Sequence, residues 1–180
     1  MIPPGTHRYG PDNATLSVRT RRGGAAAKAG HDLLIHVTRW EGTLEVGEDA
    51  QPTGATLTAD AGSLRVREGT GGIQSLGDED KANIEQTIDD EVLERRDIAF
   101  RSTRVEPGAE GLLSMEGELT LAGQTQPIAF DVAIGDDGHV SATALVTQTR
   151  WGLKPYSALF GTLKVLDDVE VSLEGHPQSR

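Results

Sequence analysis

Short runs of alternating apolar and polar residues, broken by Gly, Pro, Asn and Asp, recur along the chain. This period of two is the signature of half-buried antiparallel strands. The clearest run puts Ile128, Phe130, Val132 and Ile134 on one face and Ala129, Asp131 and Ala133 on the other. Upstream, Leu113, Met115, Gly117, Leu119 and Leu121 share a face opposite Ser114, Glu116, Glu118 and Thr120. Between them, Ala122-Gly123-Gln124-Thr125 supplies the glycine of a tight turn, which predicts a hairpin. Gly135-Asp136-Asp137-Gly138 then turns the chain into a third strand of the meander, with Val140, Ala142, Ala144 and Val146 on one face.

Five more strands follow from the same pattern. Ala14, Leu16 and Val18 form one; a long run from Leu33 to Val46 carries Trp40 in its middle. Ala55, Leu57 and Ala59 begin a strand whose facing switches at Ala61-Gly62 before Leu64 and Val66, the pattern of a β-bulge. Ile98 and Phe100 open another, and Leu163, Val165, Val169, Val171 and Leu173 form the last, interrupted by Asp167-Asp168. Eight strands can close a barrel, so the expected fold is an all-β, eight-stranded antiparallel barrel, with a β-sandwich as the alternative.

One segment departs from this period. From Asp78 to Arg96, Ile84, Ile88 and Val92 recur at four-residue spacing beside Leu93, which predicts one inserted helix over residues 78–96. Asp78 is the expected cap, Glu79 and Asp80 suit the positive helix N-terminus, and Arg95 and Arg96 suit its C-terminus. Glu85, Asp89, Asp90, Glu91 and Glu94 read as a solvated face, with a cation site as the lesser reading.

A chain of 180 residues with no cysteine fits a single domain held by packing and hydrogen bonds alone. Its net charge of -11 repels nucleic-acid phosphates and disfavours anionic membranes as partners. The N-terminus lacks the apolar run of a secretory signal, and no stretch has the length of a membrane span, so the expected location is cytoplasmic without membrane insertion.

With the strands placed, Ile98-Ala99-Phe100-Arg101-Ser102-Thr103, the Leu119-Thr120-Leu121-Ala122-Gly123-Gln124-Thr125-Gln126-Pro127 hairpin and Trp151-Gly152-Leu153 ahead of Leu163-Lys164-Val165 resemble the YceI-like family. Tyr9-Gly10-Pro11-Asp12 to Val18 and Trp40-Glu41-Gly42 fit the same pattern, so the resemblance covers most of the chain. It implies an extended, lipocalin-like barrel whose lumen binds a long isoprenoid or similar amphiphilic chain. Two departures stand out. Many members are exported and this sequence shows no signal; and Asp80-Lys81-Ala82-Asn83-Ile84 stands where the family often has Arg-Asp-x-His-Leu.

Small Ala142, Ala144 and Gly117 on inward faces leave space beside Leu119, Phe130 and Phe100, although small and large residues also mix in barrels merely to fit their taper. The loop from Trp151 through Tyr156 to Leu159 and Phe160 concentrates aromatic residues in a chain that is 4% aromatic; pocket mouth and plain core packing both fit it. Candidate ligand contacts are therefore Trp40, Phe100, Leu119, Phe130, Ala144, Trp151, Tyr156, Leu159 and Phe160, with Arg150 and Lys154 as head-group candidates. His31 and His36 are an odd number of residues apart and face opposite sides of a regular strand, so they are not expected to share a metal. No cofactor is expected either. Ser102, Ser141 and Ser157 lack a nucleophile elbow. The leading expectation is a non-catalytic carrier of an isoprenoid or fatty chain, as monomer or homodimer. An enzyme on a small hydrophobic substrate in the same cavity, and a stress-related interaction module using the acidic helix, are the alternatives.

Overall fold

The central hairpin forms as its turn residues require. Ala122 and Gly123 both have positive φ, at 46° and 78°, and Leu121 pairs directly with Gln124. Two successive left-handed residues make the turn whose twist matches that of the strands, and glycine takes the second position without strain.

A computed structural model of the chain describes residues 2–158 and 163–178. In it the strands are β1 (Gly5–Tyr9), β2 (Ala14–Thr20), β3 (Arg22–Gly23), β4 (His31–Val37), β5 (Trp40–Val46), β6 (Pro52–Ala59) and β7 (Leu64–Gly71). After one helix come β8 (Ile98–Pro107), β9 (Leu113–Leu121), β10 (Gln124–Ile134), β11 (Val140–Thr147), β12 (Ser157–Ala158), β13 (Leu163–Val165) and β14 (Asp168–Gly175). Eleven of them form one curled antiparallel sheet in the order β1-β5-β6-β8-β9-β10-β11-β14-β2-β4-β7; β12, β13 and β3 form a small second sheet. The class is all-β and barrel-like, as expected, but the strand segments number more than eight.

The extra segments have a physical origin. Three long chain passes, 5–20, 31–46 and 52–71, bend in the middle, and each half pairs with a different neighbour. Pass 52–71 contributes β6 beside β8 and β7 at the far end of the sheet, so its bend joins the two sides of the curl. The corner is fastened by Ser63, whose hydroxyl donates to the carbonyls of Asp60 (2.8 Å) and Arg39 (3.2 Å), while the Thr38 amide and hydroxyl both donate to its carbonyl. The facing switch at Ala61-Gly62 is therefore a short 3-10 turn, Ala61–Ser63, capped by Asp60, and not a bulge. The last run is interrupted at Asp167-Asp168 because the chain there leaves the small sheet for the main one.

Helix α1 runs from Asp78 to Thr87 and continues as a π-helical turn, Ile88–Val92, that ends with Glu94 and Arg95 at positive φ. Its start differs from expectation: Gly77 occupies the cap position, and its amide donates to the Asp80 carboxylate at 3.0 Å. Arg95 lies beyond the helix and bonds Asp90 at 2.6 Å. Helix α1 lies along the edge strand β7, where the Glu85 carboxylate accepts the free Val66 amide at 2.9 Å. An edge strand with open backbone groups is thus covered.

Candidate functional site

Inside the curl is a cavity of about 630 Å³. Period-two alternation builds its wall: Leu16 and Val18 from β2, Leu33 and Ile35 from β4, Ile128, Phe130 and Val132 from β10, Ala142 and Ala144 from β11, Val171 and Leu173 from β14. Alternate residues of these strands point inward, so the wall they build is mostly apolar.

The two ends differ. At the bottom, buried Tyr9 donates its hydroxyl to the Gly138 carbonyl at 2.9 Å, tying β1 to the turn between β10 and β11. Burial pushes this phenol up to about 12, and the nearby Asp137 carboxylate adds to the shift. Asp137 itself is held below the usual carboxylate range by the His139 amide and the His176 side chain. At the top, α1 and its π-helical turn bring Ile84, Ile88 and Val92 to the cavity, flanked by Leu76 before the helix and Leu93 after it. Polar side chains gather at this end as well: Thr20, Arg22, His31, Asp80, Asn83, Gln148, Tyr156 and Lys164. Thr20 Oγ1 is buried without a hydrogen-bond partner.

The predicted contact residues separate into groups. Phe100, Leu119, Phe130, Ala144 and Tyr156 lie on the cavity wall, and Tyr156 is half exposed at the mouth. Trp40 (7% exposed) and Trp151 (1%) are packed into the core and are not on the wall. The Trp151 indole donates to the Leu119 carbonyl at 2.7 Å, so this residue ties its loop to β9. Arg150 and Lys154 line a separate recess with Glu91, Glu94 and Arg96; the Arg150 guanidinium stacks 5.2 Å from the Trp151 ring and donates to the Pro127 carbonyl. They therefore stand apart from the cavity. Leu159 and Phe160 fall outside the described residues.

Gly117 also differs from expectation. Instead of leaving open space, it accommodates the Phe100 ring: a Cβ at Gly117 would lie 2.5 Å from both that ring and the Arg101 carbonyl. Ala142 and Ala144 do line the cavity, together with Gly42, Ala55 and Ala59. Sequence reasoning missed the mouth residues Thr20, Arg22, His31 and Lys164, which are far apart in the chain. Their convergence follows from Lys164 pairing with Gly23 across the small sheet, a contact no local pattern announces. His31 lines the cavity while His36 sits on the outer side, its imidazole pushed down by partial burial and by Arg67 and Arg19.

A curled antiparallel sheet around an apolar cavity, with a helix over one end, defines a lipocalin-like β-barrel. The sequence matches the YceI-like domain over residues 11–176, and the chain belongs to that family. Among solved structures it is similar to BcnA of Burkholderia cenocepacia, at 14% identity over 89% of this chain and 94% of that one, with a TM-score of 0.67. It is also similar to the YceI protein of Campylobacter jejuni, at 16% identity, with 81% and 85% covered and a TM-score of 0.54. No curated protein matches the sequence. Among the described residues no helix is long and apolar enough to cross a membrane.

Proposed function

We propose that the chain binds an isoprenoid or another long-chain amphiphile in its cavity and carries it without transforming it. The observation behind this reading is the apolar cavity of about 630 Å³, within the ~300 to 1,000 Å³ common for small-molecule sites. Phe100, Leu119, Phe130 and Ala144 contact the chain of the ligand, and Tyr156 meets it at the mouth. Titratable side chains on the described wall are Tyr9 at the bottom and Arg22, His31, Asp80, Tyr156 and Lys164 at the top. An apolar middle suits a hydrocarbon chain, and polar groups at the mouth suit the amphiphile's polar end.

Native mass spectrometry combined with organic extraction tests the reading. The expected result is a complex carrying a long-chain amphiphile that dissociates on extraction. Protein that neither copurifies with such a molecule nor takes one up from solution overturns it.

A further inference from the structure

Positive charge is distributed unevenly along this acidic chain. Residues 13–31 contain Arg19, Arg21, Arg22 and Lys28 without one Asp or Glu, and residues 138–166 contain Arg150, Lys154 and Lys164, again without one. The fold brings these two segments together. Lys164 pairs with Gly23, Val165 pairs with Arg22, and the Leu166 amide donates to the Arg21 carbonyl at 2.8 Å. The short turn Ala27–Ala29, which carries Lys28, packs against the same strand β13. Arg22 and Lys164 line the cavity mouth, so a basic rim borders one side of the opening.

Large apolar side chains are exposed at the same end. Ile73 is 81% exposed, Tyr156 50% and Leu166 39%. Ile73 lies in the segment that holds the His31 ring through the Gln74 carbonyl, and Tyr156 and Leu166 flank the small sheet. Acids stand at this end too: Asp78, Glu79 and Asp80 occupy the first turn of α1, and Asp167 and Asp168 follow Leu166. Asp32 accepts from the Arg22 amide and Asp80 from the Gly77 amide, and both keep their negative charge.

We propose that the basic rim and its exposed apolar side chains dock the cavity mouth on an anionic lipid surface. Net charge alone argues against such a partner, but attraction to an anionic surface is felt within about a Debye length, roughly 8 Å at physiological salt, so local charge decides. The acidic start of α1 orients the molecule with the small sheet toward the lipid and the helix away from it. Insertion of Tyr156 and Leu166, which flank the small sheet, at the headgroup level adds a short-range apolar contribution. The rim adjoins the cargo site: Arg22 and Lys164 belong to both, whereas Arg21 and Lys28 lie outside the cavity lining.

Vesicle flotation tests this with phosphatidylcholine vesicles and with the same vesicles containing phosphatidylglycerol. The expected result is association with the anionic vesicles only, falling as salt is raised. Arg21→Gln combined with Lys28→Gln weakens it roughly 25-fold, on the basis of about 1 kcal/mol per basic residue near the surface. Uptake of a fluorescent fatty acid by that double variant confirms an intact barrel. Equal association with both vesicle types, no association, or association unchanged in the double variant overturns the proposal. Failure here with cargo uptake preserved rejects the docking surface alone, whereas absent uptake in the unaltered protein rejects the carrier reading.

Discussion

Among individual residues, two positions carry consequences out of proportion to their size. Gly117 is one. Its missing side chain admits the Phe100 ring, and a methyl group there would strike the Arg101 carbonyl of the neighbouring strand, which is backbone and gives way only if β8 and β9 separate. Overpacking of this kind costs about 1 to 3 kcal/mol, so Gly117→Ala should lower the denaturation midpoint correspondingly; an unchanged midpoint contradicts the packing described. Tyr9 is the other. Its folded-state value of about 12 exceeds the ordinary 10.0, so the folded protein holds this proton more tightly than the unfolded chain. The associated stability is complete below pH 10.0 and is lost as pH rises toward about 12. Urea denaturation across that window should show a shallower alkaline decline for Tyr9→Phe than for the unaltered protein, and parallel declines would count against the assignment.

For the elements, much was legible in the sequence where the determinants are local. The alternation of Ile128 to Ile134 and the Ala122-Gly123 turn specify a hairpin by themselves, and Ile84, Ile88 and Val92 specify the helix face that covers the cavity. What stayed hidden depends on distant partners. The corner at Ser63 exists because Arg39, 24 positions away, offers a carbonyl, and the small sheet exists because Lys164 meets Gly23. Trp151 drew attention as an aromatic at a loop, yet its role depends on the Leu119 carbonyl, 32 positions upstream. Helix α1 has no fully buried residue, and the Glu85 bond to Val66 is a specific link to the edge strand. Elements held by few buried contacts open at lower free energy than core strands. Hydrogen exchange should therefore be faster in 78–92 than in β9 and β10, and Glu85→Ala should quicken it about tenfold in the helix while sparing the strands. Protection in the helix equal to that of the central strands contradicts a separately opening cover.

On the scale of the whole molecule, the fold separates three tasks. Bent passes close the sheet at the bottom through Tyr9 and at the corner through Ser63, inward alternation leaves an apolar interior, and the helix with the small sheet frames a polar mouth at one end. Charge at the mouth includes the acids of the first helical turn and, on the small sheet, Arg22 and Lys164. Room in the interior goes with small wall residues, Ala142 and Ala144 of β11 among them, and larger side chains at these two positions would occupy it as the Phe100 ring occupies the space at Gly117. Native mass spectrometry of the unaltered protein beside Ala144→Phe, each equilibrated with the same long-chain fatty acid, tests the claim of a ligand-holding cavity most directly. The account predicts a one-to-one complex for the unaltered protein and its loss in a folded Ala144→Phe variant; equal binding by both would contradict it.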